Sequence, residues 1–218
     1  MNRAEEDYIK AIYELDKEKK SQHVKLNELA SHFGYTDQSV NEMIKRLAAK
    51  KLIKFYPYKG VILTKKGEEE AIRMIRSHRV WEVFLTKELG FSWEEVHEDA
   101  ERLEHATSDH VLRRIYGYLG EPKYCQHGNP IPDFSNNIPK VSRLNLFDIG
   151  LNQAFRLTRV QDSKALLLFL NQEKIKLYDQ MTVIAIDTFN QIVKISHNDE
   201  EKALSIQTAK RMFGEKND

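Results

Sequence analysis

Apolar positions recur at helical spacing near the start of the chain, at Tyr8, Ile9, Ile12, Tyr13 and Leu15, and predict a first helix. A second, short helix fits residues 26–33, with Asn27 as a plausible cap and Gly34 at the position just past its end. Thr36 or Asp37 can cap a third helix that runs to about Lys50, with Val40, Met43, Ile44 and Leu47 as its apolar stripe. Two helices joined by a short turn at Gly34 have the form of a helix-turn-helix. Residues 52–56, a turn at 57–60 and residues 61–64 then read as a β-hairpin, which is what a winged helix places after its recognition helix. A long helix is predicted over 69–89, with Ile72, Ile75, Trp81, Phe84 and Leu85 available for burial. Residues 120–150 hold four of the five prolines and read as an irregular connection. Beyond 151 the pattern changes to short alternating apolar runs, such as 181–186 and 192–195, which predict the strands of a small β domain. The expected organisation is a DNA-binding unit over 1–66, a helical unit over 67–140 that includes the Pro-rich connection, and a β unit over 151–218.

Composition narrows this picture. The chain has 218 residues, 41% hydrophobic and 31% charged, and a net charge of +1. No apolar run approaches the roughly 20 residues that cross a bilayer. The first seven residues are too acidic and polar for a secretory signal, so a cytoplasmic protein without membrane association is expected. The single cysteine, Cys125, excludes an internal disulfide and a Cys-rich zinc site. Overall charge announces no nucleic acid, but its distribution does. Residues 43–66 carry eight basic side chains and no acids. Such a local run is the footprint of phosphate neutralisation. The polar positions of the third helix, Thr36, Asp37, Gln38, Ser39, Asn41 and Glu42, with Lys45, Arg46 and Lys59, are therefore the candidates for contacting double-stranded DNA.

A second constellation concerns metal. His97, Glu101, Glu104 and His105 stand at i, i+4, i+7 and i+8, within one helical arc of about 100°. His78 and Glu82 repeat the i, i+4 arrangement on the preceding helix. Imidazole with carboxylate suits borderline or hard divalent ions, and carboxylates in excess with sulfur counted out point to Mn(II), with Fe(II), Co(II), Ni(II), Cd(II) or Zn(II) as alternatives. His23, His32, His127 and His197 show no ligand-like spacing, and His110 lies off the stripe. The competing reading is a metal-independent DNA-binding or scaffold protein in which the stripe is an interhelical salt network. Catalysis is disfavoured: there is no His-Glu-x-x-His, no Gly-rich phosphate loop and no nucleophile elbow.

The segments Glu6-Asp7-Tyr8-Ile9-Lys10-Ala11-Ile12-Tyr13, His78-Arg79-Val80-Trp81-Glu82, 96–105 and 125–132, together with the winged helix, resemble the diphtheria toxin repressor / manganese transport regulator family of metal-dependent repressors. The resemblance spans nearly the whole chain. It implies a winged helix-turn-helix, a helical domain for dimerisation and metal binding, and a C-terminal SH3-like β barrel. It implies a homodimer on operator DNA that represses metal-uptake genes when loaded, with an iron-responsive regulator of the same architecture as the alternative. It also implies two metal positions: a primary one of Asp7, Glu101, Glu104 and His105, and an ancillary one of His78, Glu82 and His97, with Asp162 donated by the C-terminal domain. Iron-responsive members place Met and Cys where this chain has Asp7 and Glu101, and carboxylates in those places favour Mn(II). The shortest manganese regulators carry Glu where this chain has Lys10, so the longer three-domain members are the better template.

Overall fold

The computed structural model describes residues 1–18 and 23–217. Helices α1 (Arg3–Glu18), α2 (Leu26–Phe33) and α3 (Asp37–Ala49) pack with the hairpin β1 (Ile53–Tyr56) and β2 (Gly60–Leu63) around one core of Tyr8, Ile9, Ile12, Leu29, Ile44, Leu47 and Val61. Gly34 ends α2 in the left-handed region, φ 66°, where a residue without Cβ is unstrained. The Thr36 hydroxyl accepts from the Ser39 amide and caps α3. Asn27 caps nothing: α2 starts one residue earlier, and the Glu28 carboxylate reaches back to accept from the Lys25 amide at 3.0 Å. The wing folds over so closely that a Cβ at Gly60 would sit 2.2 Å from the Val24 carbonyl oxygen.

Helix α4 (Lys65–Leu89) begins four residues before its predicted start, because the Thr64 hydroxyl accepts from the Gly67 amide and caps it. Over 25 residues it spans roughly 37 Å. Its first turns, through Ala71, Ile72 and Ile75, complete the N-terminal core. Its later turns bury Val80 and Val83 against Leu112 and Tyr116 of α6 (Asp109–Tyr118), and Leu85 against Val96 and Ala100 of α5 (Val96–Ala106). One rigid rod therefore joins the winged helix to the helical layer.

Residues 120–150 are irregular apart from short bridges, as their prolines predict. The C-terminal unit is a five-stranded antiparallel sheet in the order β6-β5-β4-β3-β7, from β3 (Ala154–Val160), β4 (Gln180–Asp187), β5 (Ile192–His197), β6 (Glu200–Ser205) and β7 (Met212–Asn217). Register breaks at Leu157/Arg159 and Val183/Ala185 bend it, in keeping with an SH3-like β unit. It also contains α7 (Lys164–Gln172) and the single turn α8 (Ile206–Ala209), which the strand-like reading of this region did not foresee. Leu166, Leu167 and Leu170 of α7 close the core of the sheet. Among the described residues no helix is long and apolar enough to cross a membrane.

Candidate metal centres and DNA-binding face

Glu5, Glu6 and Asp7 are consecutive near the start of α1 and so point in three directions, about 100° apart. Glu5 turns to α3: both its oxygens lie 2.7 Å from Lys50 Nζ, whose charge holds the carboxyl below its usual range. Glu6 accepts from Arg73 at 3.0 Å and from His105 Nδ1 at 2.7 Å. Asp7 faces α5, with Oδ1 2.9 Å from His105 Nε2. Glu6 holds His105 through Nδ1 and so turns Nε2 toward Asp7, the arrangement in which an outer carboxylate orients a ligating imidazole.

Asp7, Glu101, Glu104 and His105 each offer an atom within 4.8 Å of the others. Asp7 Oδ1 and His105 Nε2 are buried and have no hydrogen-bond partner. Orphaned polar atoms of this kind are costly, and two meeting at one point fit a cation. Burial, with the charges of Glu101 and Glu104, outweighs His105 and raises the Asp7 carboxyl above its usual range. Lys10, one turn further along α1, approaches the same carboxylates from the other side.

A second convergence lies behind the first. His78 Nδ1 lies 2.5 Å from Glu104 Oε2, a distance that requires the proton on Nδ1. Its Nε2 then points away, 3.3 Å from Glu82 Oε1 and 3.6 Å from Asp162 Oδ2. His97 Nδ1 lies 2.7 Å from Asp162 Oδ2, and His78, Glu82, His97 and Asp162 form one cluster. Glu104 and His78 thus stand back to back, one ring touching both centres.

The structure adds two residues that spacing alone had set aside. Cys125 and His127 cluster with Glu82. The loop that carries them turns tightly, Gly128 N–H donating to the Cys125 carbonyl at 2.9 Å and Val160 N–H donating to the His127 carbonyl at 3.0 Å. Gly128 has φ 77°, and a Cβ there would meet the Thr158 oxygen at 2.1 Å. Only glycine lets this loop lie against β3, at whose end Asp162 stands. His127 Nε2–H donates to the Trp93 carbonyl at 2.7 Å, leaving Nδ1 3.2 Å from Glu82 Oε1 and 4.0 Å from Asp162 Oδ1. Sulfur, counted out of the donor set from the sequence, therefore lies within reach of one of its carboxylates, Glu82. Burial would depress the His127 pKa, but contact with Cys125 and Glu82 and the charges of Glu82 and Asp162 raise it to about 11. Burial raises the Cys125 thiol, and for Glu82 the paired histidines overcome burial and hold the carboxylate well below its usual range. His78 Nε2, Glu82 Oε1, His127 Nδ1 and Asp162 Oδ1 are all buried without a hydrogen-bond partner. Four orphans facing one another, two imidazole nitrogens and two carboxylate oxygens, again fit a divalent cation.

On the opposite side of the N-terminal core, Thr36, Asp37, Gln38, Ser39, Asn41, Glu42, Lys45, Arg46 and Lys59 are all exposed. Thr36 and Ser39 are engaged in the helix cap, and Asn41 donates to the Asp37 carbonyl at 3.0 Å. Lys50, part of the basic run, is committed to Glu5. Tyr58, at the wing tip, is wholly exposed.

A winged helix joined by one helical rod to buried, orphaned donor sets defines a metal-dependent transcription regulator. Residues 1–61 match the iron dependent repressor N-terminal DNA binding domain, and residues 64–133 match the iron dependent repressor metal binding and dimerisation domain. The chain belongs to this iron-dependent repressor family, whose members are DNA-binding regulators and not enzymes. It is 36% identical over 115 residues to an uncharacterized HTH-type transcriptional regulator of Methanocaldococcus jannaschii, covering 53% of this chain and 91% of that protein. It is 33% identical over 127 residues to the iron-dependent repressor IdeR of Mycobacterium tuberculosis, covering 58% of this chain and 54% of that protein, so the match spans about half of that relative's length. Its fold is similar to that of the manganese regulator SloR, with a TM-score of 0.86, 32% identity and 98% of each chain covered.

Proposed function

We propose that the chain is a Mn(II)-activated repressor that binds operator DNA as a cytoplasmic homodimer and shuts down metal-uptake genes when loaded. The observation that carries this reading is the origin of the orphaned donors. Asp7 belongs to α1, whose apolar face builds the winged-helix core, Glu101, Glu104 and His105 to the helical layer, and Asp162 to the β unit. A divalent ion at Asp7, Glu101, Glu104 and His105 would supply the charge that ties α1 to α5. Three carboxylates and one imidazole form a hard donor set that suits Mn(II). The neighbouring sets of His78, Glu82, His97 and Asp162 and of Glu82, Cys125 and His127, which share Glu82, are richer in imidazole and thiol and would also accept Fe(II), Co(II), Ni(II), Cd(II) or Zn(II). Similarity to a manganese regulator supports the same preference.

The residues transmit the restraint. Asp7 and Glu6 hold α1 on His105, Glu5 holds α1 to Lys50 at the end of α3, and α3 carries the exposed base-reading face. Leu89, Val111 and Tyr118, large apolar side chains exposed on α4 and α6, support a dimer surface in the helical layer. A twofold dimer would set two α3 helices one DNA turn, about 34–36 Å, apart. Calorimetry of Mn(II) into the full chain tests the centres. Native protein should bind, and Glu101→Ala and His105→Ala should each lose the site that joins α1 to α5 while keeping the far-UV circular dichroism of the native fold. Unchanged titrations in both variants would remove that donor set.

A further inference from the structure

Among the described residues Lys10 is the only buried lysine, and the metal-holding role given to its neighbours does not use it. Its Nζ lies 2.8 Å from Glu101 Oε2, 3.0 and 2.9 Å from the two oxygens of Glu104, and 3.3 Å from His78 Nδ1. Side chains of α4 and α5 thus meet at one ammonium group of α1. Because the His78 proton sits on Nδ1, Lys10 and His78 do not bond to each other; both donate to Glu104. Glu104 is fully buried, and a carboxylate in that position without a counter-charge would be strongly destabilising.

Helix α1 is therefore docked on α5 at two places, one turn apart. At the first, Glu6 and Asp7 meet His105, and two of the atoms there are orphaned. At the second, the chain brings its own cation. We propose that Lys10 is a positioning residue that acts as a tethered counter-ion. It keeps α1 seated on the helical layer when the neighbouring donor set is empty, so that metal has only the second point of attachment to secure. The inference rests on the reading of Asp7, Glu101, Glu104 and His105 as a metal centre.

The consequence is mechanical. With both points fixed, α1 cannot turn. With Lys10 alone it pivots about that residue, and with neither it detaches from α5. The residual order of the metal-free protein, and so the span between its off and on states, is set by Lys10.

Hydrogen exchange read by mass spectrometry on the full chain, chelator-stripped and then Mn(II)-loaded, tests this. In metal-free Lys10→Met, amides of α1 should exchange about tenfold or more faster than in the metal-free native chain, because charge-assisted bonds to two carboxylates are lost. Mn(II) should restore most of that protection. Lys10→Arg, which keeps the charge, should match the native chain. Should the Met variant fold poorly, Lys10→Gln keeps the donor without the charge and should show the same Mn(II)-reversible loosening. Native-like exchange in metal-free Lys10→Met, or loosening that Mn(II) does not reverse, would overturn the proposal. A native chain in which Mn(II) changes no exchange anywhere would instead strike the reading of the centre itself.

Discussion

Metal binding at the Cys125 loop should be strongly proton-linked. His127 is held at about 11, its Nε2–H on the Trp93 carbonyl and its Nδ1 turned to Glu82 at 3.2 Å. Its raised pKa favours the protonated ring at neutral pH, and a metal has to displace a proton to reach the nitrogen. The Cys125 thiol, raised by burial, must also ionise to become a ligand. An ion seated against Glu82, Cys125 and His127 should therefore release about two protons, and its apparent affinity should rise about a hundredfold per pH unit between roughly pH 6 and 8. Without metal the sign reverses. A folded pKa raised above the unfolded value gives stability that is complete below about 6.5 and is lost as pH rises toward 11. Over that window the metal-free protein should soften with pH while its Mn(II) affinity climbs. Calorimetry at one pH in buffers of different ionisation enthalpy counts the protons directly, and Cys125→Ser should release one fewer. A binding enthalpy independent of buffer would refute both the protonation state of His127 and its place among the ligands.

Three further outcomes follow from the same contacts. Asp162→Ala, which removes the one carboxylate the β unit contributes, should weaken the Glu82 centre about 10- to 100-fold in a Mn(II) titration and leave binding at Asp7 intact. Gly128→Ala should lower stability by about 2 kcal/mol or more in urea denaturation, since the new Cβ meets the Thr158 carbonyl in a backbone region that disfavours it. Arg46→Ala and Lys59→Ala, both on the exposed basic face, should weaken binding of all DNA sequences alike and each reduce the slope of log K against log salt by about one.

Short-range pattern sufficed for the winged helix. The stripe of Val40, Met43, Ile44 and Leu47, the left-handed break at Gly34 and the Thr36 cap are local signals, and they stand where periodicity and cap chemistry put them. So does the clustering of Glu101, Glu104 and His105, which one helix fixes by itself. The partition of that stripe between two centres, and the entry of Asp7 and Asp162, came from resemblance rather than from spacing. His127 and Cys125 were not legible. They stand 45 and 43 residues from Glu82 in the chain, and only a turn made possible by Gly128 brings them together. A thiol and an imidazole two residues apart, just before a glycine, were the available signal. Glu6 escaped notice because it neighbours a stronger candidate, yet it orients His105. Helix α7 was missed because a dense apolar run of four leucines and a phenylalanine has too little polar contrast to show its period.

Fluorescence anisotropy on labelled DNA, selected by the protein itself in the presence of Mn(II), tests most directly whether metal governs DNA binding. The native chain should bind at least about tenfold more tightly with Mn(II) than after chelation, a coupling of about 1.4 kcal/mol, and Glu101→Ala should abolish the difference. Equal affinity of the native chain with and without Mn(II) would contradict the account.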